Sequence, residues 1–138
     1  MAAWEHFPHG ADIGIRGHGA TVEQAFEQAA LAMSAIVADP EGVGEQARVN
    51  ICAEAPDLEI LLVRWLNAII FEMATRSMLF SRYSVEIDGE NAKGIAWGEP
   101  VEVARHEPAV ELKGATMTEL SVHQGTDQTW FAQCVVDV

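Results

Sequence analysis

The segment "DLEILLVRWLNAIIFEMATRS" constrains the fold more than any other. Leu58, Leu61, Leu62, Trp65, Leu66, Ile69 and Met73 recur at helical spacing. Ile60, Val63, Ile70 and Phe71 widen that stripe almost all round. A helix apolar on most sides is buried on most sides, so this one belongs between sheets or along the centre of the fold. Glu59, Arg64, Asn67 and Glu72 interrupt the run from Leu58 to Met73, which excludes a membrane span. Trp65 therefore reads as core and not as a surface for stacking a ligand.

A second helix is signalled upstream in "TVEQAFEQAALAMSAIVADP". Thr21 and Gln24 stand at capping-box spacing. Val22, Ala25, Phe26, Ala29, Ala30, Met33, Ile36 and Val37 share one face, and Pro40 and Gly42 end the helix. Between the helices, "RVNICAE" alternates Val49, Ile51 and Ala53 as a strand. The remainder reads as β. "YSVEI" and "AKGIAW" flank Asp88-Gly89, a hairpin signal. "VEVARHEP" and "VELKGATMTELSV" lead to a loop at "HQGTDQ", and "TWFAQCVVDV" closes the chain as a strand. Near the amino end Ile13 and Ile15 alternate with Gly14 and Arg16, so Asp12 stands where a turn becomes a strand. The expected fold is α+β, two helices packed with antiparallel or mixed sheets, within one domain spanning residues 1–138. Each half reads loosely as strand, helix, then strands.

Charge narrows the function. The 21 acids outnumber 8 bases, a net charge of −13. Such a surface repels phosphate backbones and disfavours direct nucleic-acid binding. Basic proteins and cations are the partners it would attract. Cys52 and Cys134 lie far apart in apolar strand-like runs, so both are expected as buried free thiols of a reducing compartment. The start of the chain carries no charged-then-apolar leader, and a cytoplasmic location is expected.

Three features could carry chemistry. The first is Asp12 with His6 and His9. The second is the end of the chain, where the Asp137 side chain and a Val138 α-carboxylate would lie within a few ångströms, one extended residue spanning about 3.3 Å. Joined by Asp12, these hard oxygen donors would suit Ca²⁺ or Mg²⁺. The third is His106 in "RHEP", which reads as a turn residue.

"WEHFPHGADIGIRGHG" resembles the opening of the archease family, in which an aromatic and Glu-His precede His-Thr-Ala-Asp-Ile-Gly. The likeness runs on through both helices, "HEP", "LKGATM" and the closing "WFAQCVVDV", in order along essentially the whole chain. It implies a small acidic protein that assists the RtcB-type tRNA-splicing RNA ligase, promoting its guanylylation and multiple turnover. It also implies a metal site at the opening Asp and the last two residues, here Asp12, Asp137 and Val138. His6 and His9 then become neighbours of the metal or of a partner, since a hard cation has little use for imidazole. Two departures stand out. Gly10 replaces the family's Thr, which removes a hydroxyl and loosens the backbone. Glu119 stands where the family often has His. The implied role is non-enzymatic. A metal-dependent phosphoester hydrolase and a general chaperone or binding module are the alternatives, though no nucleophile motif supports the hydrolase.

Overall fold

Thr21 starts the first long helix where the capping signal places it, and Asp57 caps the second. The computed structural model describes residues 2–138. Thr21 Oγ1 accepts from the Gln24 N–H at 3.1 Å, while Gln24 Oε1 accepts from the Ala20 N–H at 2.8 Å, opening helix α1, Val22–Val37. Asp57 accepts from the Ile60 N–H at 2.8 Å and opens helix α2, Leu58–Arg76. These caps satisfy amide donors that the first helical turn leaves free.

Among the described residues eight strands surround the helices: β1 Ala3–His9, β2 Asp12–Gly19, β3 Ala47–Glu54, β4 Met78–Asp88, β5 Asn91–Pro100, β6 Gly114–Ala115, β7 Ser121–Gln124 and β8 Trp130–Asp137. All pairings are antiparallel. β3, β5 and β4, in that order, form a three-stranded sheet. In the five-stranded sheet β8 is central, with β2 and then β1 on one side and β6 and β7 in succession along the other. The chain's first and last strands thus share a sheet, and the two halves do not form separate units.

α1 packs on β2 and β8 of the larger sheet and on β4 of the smaller. α2 likewise meets β3, β4 and β5 on one side and β6, β7 and β8 on the other. The architecture is α+β in three layers, with both helices between the sheets. That is why α2 is apolar nearly all round: Leu61, Leu62, Val63, Trp65, Leu66 and Ile69 are all buried. Full burial of one such side chain contributes roughly 2 kcal/mol. The enclosure ends just beyond Ile69, where Phe71 is 64% exposed. On α1, Ala25 and Ala29 let the helix lie directly on β2. A Cβ at Gly17 would come within 2.2 Å of the Ala25 carbonyl oxygen.

One strand is added to the expected elements and two local expectations are corrected. "WEHFPH" is a strand, β1, although nearly every residue in it is exposed. As the edge of its sheet β1 has no neighbour beyond it, so it lacks strand-like burial alternation and tolerates Pro8. "VEVARHEP" is not β: Val103–His106 forms a short helix, α3, closed by the His106 Nδ1 accepting from the Glu102 N–H at 2.8 Å. Cys52 is exposed, whereas Cys134 is buried and its thiol is pushed up to about 12 by that burial. Cys52 is paired with Lys93 on the solvent face of β3 and β5, which no helix covers.

Candidate metal centre at the strand ends

β1 and β2 are joined by a two-residue turn, Gly10-Ala11, with His9 paired to Asp12. Gly10 has φ +61°, and Ala11 is not left-handed. A turn with only its first central residue at positive φ is type II′, and glycine is the residue that position favours. Gly10 adopts this positive φ without strain, so the departure from Thr leaves the turn intact. Asp12 follows at once, half-buried at the first position of β2.

The faces of β2 follow from its glycines. A Cβ on Gly17 would strike α1, so odd-numbered residues face the helices. A Cβ on Gly14 would strike the Phe7 ring 2.3 Å away on the opposite, outer face. Asp12 shares that outer face by alternation. Ile13 pairs with Val136, so one further register step sets Asp12 across from Asp137. Residues directly opposite in an antiparallel pair present side chains on the same face. The Val138 N–H donates to Asp12 Oδ1 at 3.3 Å. On the other flank of β8, Gly114 pairs with Asp137, and the Lys113 N–H donates to the Asp137 carbonyl at 2.9 Å. Asp12 and the adjacent pair Asp137 and Val138, more than 120 residues away in sequence, therefore meet at one corner of the larger sheet.

Among the described residues, no three His, Cys, Asp or Glu side chains converge as a metal cluster. Asp12 and Asp137 bring two carboxylates here, so a cation held at this corner would need its third donor from the main chain. Neither Asp forms an ion pair with Lys, Arg or His among the described residues, so their negative charge is uncompensated locally.

The histidines separate. His9 lies opposite Asp12. His6 is paired with Ile15, on the helix-facing side, and its Nε2 donates to the Ala32 carbonyl of α1 at 2.7 Å. His18 faces outward with Asp12 but is bound at 2.8 Å to Glu5, which also holds Arg16 at 2.9 Å. Both partners keep the Glu5 carboxyl below its usual range, Arg16 more than His18.

His106 is far from a plain turn residue. It is buried against Glu99, which is only 2% exposed, with Nε2 and Oε2 3.0 Å apart. Since Nδ1 accepts from the Glu102 amide, the ring proton sits on Nε2 and is donated to the carboxylate. Glu99 also accepts from the Gly44 N–H at 2.6 Å, from Gln46 at 2.8 Å and from Arg105 at 2.9 Å. The Gly44 amide, His106 and Arg105, in that order, hold its carboxyl down at about 2. This cluster ties the 40–46 segment to α3. Nothing in the order Glu99, Glu102, Arg105, His106 announces that the first of these is buried.

A model of the Archease protein family matches residues 4–138. The protein named archease from Pyrococcus furiosus is 34% identical over 142 residues, with both chains fully covered. That from Sulfolobus acidocaldarius is 36% identical over 140 residues, again covering both chains in full. Among solved structures, Methanobacterium thermoautotrophicum protein 1598 superposes with a TM-score of 0.86 at 29% identity, covering 99% of each chain. A Thermotoga maritima structure described as an archease and possible chaperone superposes with a TM-score of 0.60 at 17% identity, covering 97% of this chain and 96% of its own; it supports the fold alone.

Proposed function

The chain belongs to the archease family, and from that premise we propose that it is a non-enzymatic activator of an RtcB-type tRNA-splicing RNA ligase, promoting the ligase's guanylylation and multiple turnover. The observation that carries the reading is the meeting of Asp12 with the last two residues, marked by the 3.3 Å hydrogen bond from the Val138 N–H to Asp12 Oδ1. The donor set suits a hard divalent cation. Two Asp carboxylates and, where Val138 ends the chain, its α-carboxylate offer oxygen alone, as Ca²⁺ and Mg²⁺ prefer. When bound, such an ion supplies charge neutralisation and Lewis acidity towards a phosphate.

The chain's own residues do the positioning. Asp12 is held by the tight Gly10-Ala11 turn, and Asp137 by strands on both sides of β8. Rigid placement of this kind is what a docking site for a reacting phosphate needs. The 21 acids against 8 bases steer the protein towards a basic cleft and away from RNA itself. The test is a multiple-turnover RNA-joining assay with the cognate ligase. Sub-stoichiometric protein should raise the rate, while the protein alone leaves RNA, nucleotides and phosphoesters unchanged. Unaided phosphoester cleavage, or a ligase indifferent to the protein, would contradict the reading.

A further inference from the structure

We propose that the open edge of β3 pairs antiparallel with β3 of a second copy of this chain, joining two three-stranded sheets into one. β3 ends the order β3-β5-β4, so one side of it has no neighbouring strand. The register shows which main-chain groups lie there. The Ala55 N–H donates to the Glu90 carbonyl at 2.9 Å, one step beyond the Glu54–Asn91 pair. Main-chain groups alternate in direction along a strand. Odd-numbered residues of β3 therefore bond to β5, and Arg48, Asn50, Cys52 and Glu54 point their amides and carbonyls to the open side. Arg64 of α2 agrees with this direction, donating at 3.0 Å to the Glu54 carbonyl that β5 leaves free.

The other edges are closed from within the chain. On β4 the Val85 N–H donates to Glu27 at 2.9 Å. On β6 the Ala115 N–H donates to Asn67 at 2.9 Å, and on β7 the Val122 N–H donates to Glu59 at 3.3 Å. Pro8 interrupts β1. Among the described residues no side chain takes the outward amides of β3, which runs from Ala47 to Glu54 without proline, glycine or register shift. A regular edge left open in this way is a template for another strand.

The strand that fits it is β3 itself. Arg48 and Glu54 are its only charged residues, and they lie symmetrically about Ile51. A two-fold axis through Ile51 sets Arg48 across from Glu54 of the second copy at both ends, and Asn50 across from Cys52. Every outward-pointing residue then meets another, as an antiparallel ladder requires. Opposite charges directly across a ladder stabilise it, and moving the axis to a neighbouring residue loses both ion pairs. Val49 and Ile51 keep their buried places beneath the sheet. β3 is neutral in sum within a chain of net charge −13, so two copies meet there without local repulsion. An edge pairing alone is a modest interface, and the dimer forms reversibly at micromolar to millimolar protein. β3 belongs to the sheet that does not carry Asp12, and the proposal does not rest on the ligase reading.

Sedimentation equilibrium of the full chain over that concentration range measures the dimer. Arg48→Glu and Glu54→Arg, both at exposed positions, turn the two facing pairs repulsive and should each weaken the dimer roughly tenfold. Mixed in equal amounts, the two variants bring opposite charges together at both ends, and a heterodimer of wild-type strength should form. Hydrogen exchange on the wild-type chain locates the interface without any variant. The amides of Arg48, Asn50 and Cys52 should gain protection as protein concentration rises, while those of Val49 and Ile51, already bonded to β5, should not change. A wild-type chain that stays monomeric throughout overturns the proposal. So does a dimer whose outward β3 amides keep their exchange rates, or a pair of folded variants that fail to associate with each other.

Discussion

Gly17→Ala tests the seating of α1 on the sheet that carries Asp12. The added Cβ would lie 2.2 Å from the Ala25 carbonyl oxygen and 2.3 Å from the Ala29 nitrogen. Comfortable contact needs about 3.5 Å, so the helix has to retreat by roughly 1.3 Å. Both obstacles are main chain, and no rotamer change relieves them. Overpacking that side chains can absorb costs about 1–3 kcal/mol, and a rigid backbone clash belongs at the top of that range. Alanine's stiffer unfolded chain returns about 0.5 kcal/mol, leaving a net loss near 2.5 kcal/mol. Gly42→Ala is the control. Nothing lies within 4 Å of its Cβ and its φ is not left-handed, so the same chemical change should gain about 0.5 kcal/mol. Urea unfolding followed by circular dichroism measures both. Equal stability of the two variants would refute the account of α1 lying directly on β2.

Cysteine labelling should be one-sided: a thiol reagent modifies one equivalent in the folded protein, at Cys52, while buried Cys134 reacts only on unfolding. The Glu99 carboxyl is held at about 2 against an ordinary 4.5, so its contribution to stability is full above 4.5 and fades as pH falls towards 2. Glu99→Gln should accordingly be less stable than wild type at neutral pH, and urea midpoints should show the gap narrowing over that acid range. Where Val138 ends the chain, extending it replaces an α-carboxylate with a neutral amide carbonyl, so calorimetric Ca²⁺ or Mg²⁺ affinity should fall with no side chain altered. Unchanged affinity would remove Val138 from the ligand set.

Both helices were legible because their burial on two sides writes an apolar pattern that capping residues then delimit. β8 was legible for the same reason. β1 was not, since an edge strand in "WEHFPH" has one neighbour, little burial and a proline. The short helix α3 rests on a hydrogen bond from the Glu102 amide to a buried imidazole, which no periodicity encodes. For the candidate site, residue types pointed to Asp12, Asp137 and Val138, but their meeting depends on β2 pairing with β8 across most of the chain. The divergence of His6 from His9 is likewise a matter of register, since it takes the pairing of β1 to show which residues face α1. Glu99 escaped notice because its partners Gly44 and Gln46 are more than 50 residues away.

The central claim is that the corner formed by Asp12, Asp137 and Val138 acts on the guanylylation of a partner ligase. The most direct measurement is the rate of ligase–guanylate adduct formation at low salt, with the cognate ligase, GTP and a divalent cation. The account predicts that wild-type protein accelerates the adduct and that Asp12→Ala, folded as wild type by circular dichroism, does not. Adduct formation at the same rate with wild type, with Asp12→Ala and with neither would contradict it.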